Sequence, residues 1–247
     1  MTRTLVDTDA EPDPVALHMI EGHAIVTGAS GRIGLEVARG LAAEGLRVTL
    51  VGRHEELLRR AAAAVGGGAE IVTADLTEEA GITAVARACP DRLDVLVHAA
   101  GLFHHGPVAD VSAATWTQLL AINLCAPMLL SSACLPQLRK AGGQVVFINS
   151  TAGFSDALGA YAASKHALRV AGETLRRELN GSGVRVLSVF PGRTDTDMQA
   201  RVLKAEGRPD AHIPLIPPVD LAAAILAALA APRSLEITDL VVRPPHE

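Results

Sequence analysis

The chain has 247 residues, 25.6 kDa and 49% hydrophobic side chains, which suits one large domain with a sizeable core. A formal charge of −5 and a pI of about 6.0, with no basic stripe, exclude a nucleic-acid binder and make a poor ligand for anionic membranes. Cys89, Cys125 and Cys134 have no C-x-x-C spacing, so they read as reduced core thiols of a cytoplasmic protein and exclude a disulfide scaffold.

Residues 1–21, where Asp7, Asp9, Glu11 and Asp13 interleave with Pro12 and Pro14, read as a disordered acidic tail, leaving 22–247 as the folded domain. No basic segment followed by an apolar run marks a signal peptide, and Met19 is a second candidate start. The first strand is expected at 23–27 and runs into Thr27-Gly28-Ala29-Ser30-Gly31-Arg32-Ile33-Gly34, then a helix over 33–44. Glycines placed between a strand and a helix permit a tight turn and close backbone approach to a pyrophosphate. The helix N-terminus supplies amide donors. A second strand, 46–51, ends at Gly52-Arg53. An NAD-selective site places a carboxylate there for the ribose 2′-hydroxyl. Arg53 instead offers a planar fork to a 2′-phosphate, so NADP(H) is expected over NAD(H), with Arg32 adding to the positive site.

After a helix over 55–64, a strand over 70–74 leads to Asp75-Leu76 and a helix over 78–88. Asp75 either accepts from an adenine amino group or caps that helix. The strand over 93–98 ends in His98-Ala99-Ala100-Gly101, whose small residues let backbone approach a cofactor, while His98 reads as a packed, hydrogen-bonded core residue. A long helix over 112–139 carries Asn123 in an apolar setting. A buried amide needs a partner, and a water shared with Lys165 would supply one. The strand over 144–149 delivers Ser150 at its carboxyl end, and a helix over 160–180 carries Tyr161 and Lys165 one turn apart. A fixed cation beside a phenol lowers its pKa and makes an acid/base for neutral pH. The strand over 184–190 leads to Pro191-Gly192-Arg193-Thr194-Asp195-Thr196, a turn placed to close over the nicotinamide end. Beyond it, 201–218 reads as a mobile excursion, before a helix over 219–231 and a last strand over 237–242. The longest apolar run, 221–231, is too short to span a bilayer.

Seven strands alternating with helices imply an α/β fold with a doubly wound parallel sheet, whose ligands bind beyond the carboxyl ends of the strands. Thr27-Gly28 with Gly31 and Gly34, then Asn123, Ser150, Tyr161-x-x-x-Lys165, and Pro191-Gly192 with Thr196 have the order and spacing of the short-chain dehydrogenases/reductases. From about His23 to the C-terminus the chain resembles that family. The resemblance implies a Rossmann-like seven-stranded domain, a nicotinamide cofactor and a Ser–Tyr–Lys–Asn tetrad. Tyr161 is then the general acid in reduction and the base in oxidation. Lys165 lowers its pKa and binds the nicotinamide ribose, Ser150 orients the carbonyl, and Asn123 anchors a relay water. The cofactor would be held by Gly28, Ser30, Gly31, Arg32, Ile33, Gly34, Arg53, Asp75, Leu76, Ala99, Ala100, Gly101, Tyr161, Lys165, Pro191, Gly192, Thr194 and Thr196. No metal is expected. By the same resemblance the protein is a homodimer or homotetramer built on the helices over 112–139 and 160–180.

Three positions depart from the pattern. Arg32 stands where the family's second loop glycine falls, leaving the G-x-x-G-x-x-G spacing of its extended branch of epimerases and dehydratases. His98-Ala99-Ala100-Gly101 replaces N-N-A-G and is similar to polyketide ketoreductase modules. The loop from Ser150 to Tyr161 is about two residues short. The extended branch needs a further substrate domain, and the polyketide modules lack Lys four residues after Tyr, so the single-domain branch is preferred. The expected substrate is an apolar ketone or 3-oxoacyl group, in a pocket lined near Leu102, Phe103 and His104, by residues 154–158, and by the segment after Thr196, including Leu203. A non-catalytic NADP(H) sensor is the alternative from another class.

Overall fold

The computed structural model describes residues 22–155 and 159–245. The expected tail, 1–21, and Leu158 of the expected pocket lie outside them. Among the described residues β1 (His23–Thr27), β2 (Arg47–Gly52), β3 (Glu70–Thr73), β4 (Val95–His98), β5 (Gln144–Ile148), β6 (Arg185–Pro191) and β7 (Asp239–Val242) form one parallel sheet. Their spatial order is β3-β2-β1-β4-β5-β6-β7. The order reverses between β1 and β4, which opens a crevice at their carboxyl ends.

Helices cover both faces, so the strands bury residues of both parities. On one face Val26, Val95, Val97 and Val146 meet Val37 and Leu41 of α1 (Arg32–Ala43), Leu58 of α2 (Glu55–Val65), and Leu221 and Ile225 of α9 (Pro218–Leu229). On the other, Ile25, Leu96, Val145 and Phe147 meet Ile82 and Val85 of α3 (Glu79–Ala88), Leu130 of α5 (Ala126–Ala133), Leu138 of α6 (Leu135–Ala141) and Leu168 of α7 (Gly159–Glu178). α7 lies close to the sheet because Gly172 has no side chain: a Cβ there would sit 3.2 Å from Ser188 Oγ and 3.3 Å from the Phe147 ring. His98 is buried with Nε2 2.8 Å from Ser131 Oγ and its ring stacked on Phe147 at 5.1 Å. Burial pushes its pKa down to about 3, which keeps it neutral.

The single helix expected over 112–139 is broken. α4 (Ala113–Leu120) passes into a π turn over Ala121–Cys125, then α5, then α6. Two prolines account for the breaks. Pro127 and Pro136 have no N–H and sit in the first turns of α5 and α6. In the π turn the Ala126 N–H donates to Ala121 O, five residues back. Pro127 leaves Asn123's carbonyl without the amide that would bond it in a regular helix. By length and composition Ala113–Ala133 is the one run among the described residues apolar enough to cross a membrane. Here α4 packs on α7 and α5 on α3, leaving a bare outward face with Leu129 exposed. Cys125 is also exposed, which corrects its expected place in the core; Cys134 is buried and Cys89 half-buried.

Candidate active site

Four strand ends and α7 build a cleft of about 710 Å³. The β1–α1 loop packs behind the Ala99–Gly101 wall of this cleft, and α1 reaches the lining through Ile33. Gly28 has φ +65°, and a Cβ on it would lie 2.5 Å from Ala100 N. One on Gly34 would lie 2.6 Å from Gly28 O. Only glycine lets the two loops touch, and Thr27 Oγ1 accepts from Ala100 N at 3.3 Å to hold them. Gly31 is the N-cap of α1 and gives no side-chain cap, and the first turn has no acid. That leaves an uncapped helix start facing the crevice, suited to an anion. At Gly52 an added Cβ would sit 3.2 Å from Leu58 Cδ2 and in ordinary contact, 3.7 Å, with Ser30 Oγ; no carboxylate stands at this position, while Arg53 stands exposed.

Some expected cofactor residues are placed differently. Arg32 is engaged across the cleft mouth with Asp195, at 2.6 Å to Oδ2 and 3.1 Å to the backbone O, rather than extending the positive site at Arg53. The Gly31-Arg32 order sets this: Arg32 is the first residue of α1, on the side of the loop that follows β6. Asp75 Oδ1 accepts from the Thr77 N–H at 2.9 Å and its hydroxyl at 2.7 Å, and these bonds hold the carboxyl below its usual range. Of the two readings, one oxygen thus serves the turn before α3. The Leu76 side chain is in the core, so its main chain alone can face a ligand. Ile33, Ala99, Ala100, Gly101, Pro191, Gly192, Thr194 and Thr196 line the cleft as expected.

Ser150, Tyr161 and Lys165 meet on the cleft floor. Ser150 leaves β5 in extended conformation and its Oγ accepts from Ala152 N at 3.1 Å, which frees its hydrogen for Tyr161. Tyr161 is 7% exposed, with Phe103 edge-on at 5.1 Å. Burial pushes the phenol up to about 12, partly offset by the Ser150 hydrogen bond. Lys165 Nζ donates to Ile148 O at 3.0 Å and stands 5.9 Å from the Tyr161 ring centre, and burial pushes it down to about 8. The sequence reading had Lys165 pulling the phenol down. In this cleft desolvation governs both groups, and each is pushed toward its neutral form.

Asn123 lies behind Lys165, fully buried in the π turn. Its side chain is spent otherwise than expected. Oδ1 accepts from Leu102 N at 2.8 Å, and Nδ2 donates to Leu102 O at 2.9 Å and Ser164 Oγ at 3.0 Å. Ser164 in turn donates to Tyr161 O at 2.7 Å. Gly101 closes this corner: a Cβ there would lie 3.3 Å from Asn123 Oδ1 and 3.9 Å from Lys165 Nζ. Phe103 and Phe154 line the cleft as expected, whereas Leu102, His104 and Leu203 are not among its lining residues. The expected segment after Thr196 lines the cleft through Met198, Gln199, Val202 and Glu206, but it is helical at α8 (Asp197–Ala205), whose last residues fall in the 201–218 stretch read as an excursion. Arg243, just past β7, was not anticipated.

The short chain dehydrogenase family matches residues 22–207. An uncharacterized oxidoreductase of Staphylococcus epidermidis is 30% identical over 90% of this chain and 96% of its own. A variant of the actinorhodin polyketide ketoreductase, solved with NADPH, superposes with a TM-score of 0.83 at 28% identity, over 91% of this chain and 96% of that one. A metagenomic short-chain oxidoreductase in complex with NADP gives 0.77 at 32%, over 92% and 98%. With its sheet order, crevice and phenol–ammonium pair in place, the chain belongs to the short chain dehydrogenases.

Proposed function

We propose that the protein transfers a hydride between NADP(H) and a ketone or secondary alcohol, with Tyr161 exchanging the proton. The observation that carries this reading is the meeting of half-buried Ser150 with buried Tyr161 and Lys165 on the floor of a cleft whose Ala99–Gly101 wall abuts the glycine loop. The residues fit a dinucleotide. The uncapped start of α1 would take the pyrophosphate. Arg53, with no carboxylate at Gly52, suits a 2′-phosphate, and the NADPH- and NADP-bound neighbours support that choice. Ala99, Ala100, Gly101 and the Pro191–Thr196 turn would flank the nicotinamide end. Bound there, the cofactor supplies or accepts the hydride.

The chain's own residues handle the proton. At neutral pH the Tyr161 phenol is protonated and ready to donate to a carbonyl oxygen, which the Ser150 hydroxyl orients. As the proton leaves, the ammonium of Lys165 stabilises the phenolate in a site of low dielectric. Lys165 gives one N–H to Ile148 O and retains two. Because the Asn123 side chain is occupied, its carbonyl, which finds no N–H on Pro127, is the group that would hold a relay water. Phe103, Phe154, Met198 and Val202 would receive the substrate's carbon skeleton. The bare faces at Leu129 on α5 and Val170 on α7 fit a homodimer or homotetramer. Light scattering that returns a monomer at micromolar concentration would remove that part. The test of the activity is loss of NADPH absorbance with a panel of ketones; no turnover of any ketone, or a higher kcat/KM with NADH, would overturn it.

A further inference from the structure

Beyond Tyr161 the cleft runs under α8, where its wall becomes polar. Arg193, Gln199, Glu206 and Arg243 line it together with Met198 and Val202. Arg193 Nη2 donates to Glu206 Oε1 at 2.8 Å, which fixes the plane of the guanidinium. Its other terminal nitrogen, Nη1, is buried with no partner among the described residues, and so is Nε2 of Gln199, a residue only 8% exposed. A buried donor without an acceptor is costly and calls for an explanation. Here two of them stand on one wall of one cleft. The backbone that carries them is pinned at both ends. Thr194 pairs with Ile216, Asp195 N donates to Ile216 O at 2.9 Å, and Thr196 Oγ1 caps α8 by accepting from Gln199 N at 3.1 Å. Among the described residues the ionic side chains lining the cleft are Lys165, Arg193 and Arg243 against Glu206, a balance that favours an anion.

We propose that Arg193 and Gln199 form a receiving site for a hydrogen-bond acceptor of the substrate, a carboxylate above all, so that the preferred substrate is an oxo acid rather than a plain apolar ketone. The planar fork of Arg193 matches a carboxylate, and Gln199 supplies a further N–H. Glu206 holds the guanidinium in place when no acid is bound. This inference rests on the carbonyl-reducing reading above. The same donors could instead face an acceptor of the cofactor, so the experiment separates the two sources.

The full chain, saturated with NADPH, is assayed on a series of oxo acids of rising length, each against its methyl ester. At least one acid should exceed its ester in kcat/KM by about 10-fold or more. Arg193→Leu should lower that acid-to-ester ratio by about 10- to 100-fold, mainly through KM, and Gln199→Leu by less. Arg193→Lys, which keeps the charge but loses the fork, should fall between. NADPH affinity, read by fluorescence, also reports that each variant is folded and should stay within about 2-fold. Esters equal to acids throughout the series, or a ratio unmoved by Arg193→Leu, would overturn the proposal. So would a loss of NADPH affinity matching the loss of ratio, which would give the donors to the cofactor. If neither acid nor ester is turned over, the activity reading fails on its own. Calorimetric titration of the NADPH complex then decides this one: tighter binding of acid that depends on Arg193 supports it, and equal or absent binding overturns it.

Discussion

The two walls of the cleft are built on different principles. The wall proposed for the cofactor, at the ends of β1 and β4, is set by backbone in contact with backbone: Gly28 against Ala100, Gly34 against Gly28. The wall proposed for the substrate, at the ends of β6 and β7 with α8, is set by long side chains: Arg193 on Glu206, with Gln199 beside them. The first tolerates no added atom. The second can exchange partners and still stand. A shared reaction can thus be conserved on one wall while the choice of substrate varies on the other.

The difference can be pressed from both sides and at the floor between them. The largest effect is expected at the floor, where Tyr161→Phe should lower kcat by about 10²–10⁴-fold and leave NADPH affinity intact. Near-normal turnover would remove the proton role. Next comes the backbone wall. Gly28→Val combines an unfavourable φ of +65° with a 2.5 Å clash and should lower Tm on the order of 10 °C and abolish cofactor binding, by calorimetry and fluorescence. A stable, NADPH-binding Gly28→Val protein would mean that the two loops part easily.

Arg53→Leu should shift the NADPH-to-NADH ratio of kcat/KM toward NADH by about 10-fold or more, and an unchanged ratio would take the 2′-phosphate away from this residue. The pH profile tests the floor again. Burial brings Lys165 down to about 8, so its cation is complete below that pH and lost as pH rises through it. Reduction that needs the cation should fall on the basic side by about tenfold per unit. Lys165→Arg, charged at any accessible pH, should lose that limb even if its rate is low. The smallest effect is expected across the cleft mouth. Arg32 and Asp195 are half exposed, so Asp195→Ala should move Tm by about 2 °C or less, in contrast to Gly28→Val.

The same division explains what was legible in the sequence. Gly28, Gly34 and the small residues Ala99 to Gly101 announce close backbone approach by their type alone, so the crevice could be read from them. Ser150, Tyr161 and Lys165 are legible because a strand end and a helical repeat fix their relative places. Arg32 could not be placed, because which way a long side chain reaches depends on Asp195, 163 residues away. Arg193, Gln199 and Glu206 share that difficulty, since their meeting depends on the Thr194–Ile216 bridge closing the loop around α8. The break after α4 was visible only as Pro127, and a helical pattern continued on both sides of it. The direction of the Tyr161 shift was missed because a neighbouring charge is visible in sequence and the depth of burial is not.

The π turn at Asn123 has a consequence for the length of the chain. Such a turn houses one residue more than the helix around it requires. Deleting a single residue between Ala121 and Cys125 would remove the extra residue of the π turn and bring α4 and α5 into one helical phase, with a kink remaining at Pro127. It would also rotate α5 by about 100° relative to α4 and carry Leu130 off the core. The extra residue is therefore a phase shifter. It lets one continuous run of sequence present Asn123 to Leu102 and Ser164 and Leu130 to the core, and it makes this stretch tolerant of substitution on its outer face but intolerant of any change in length.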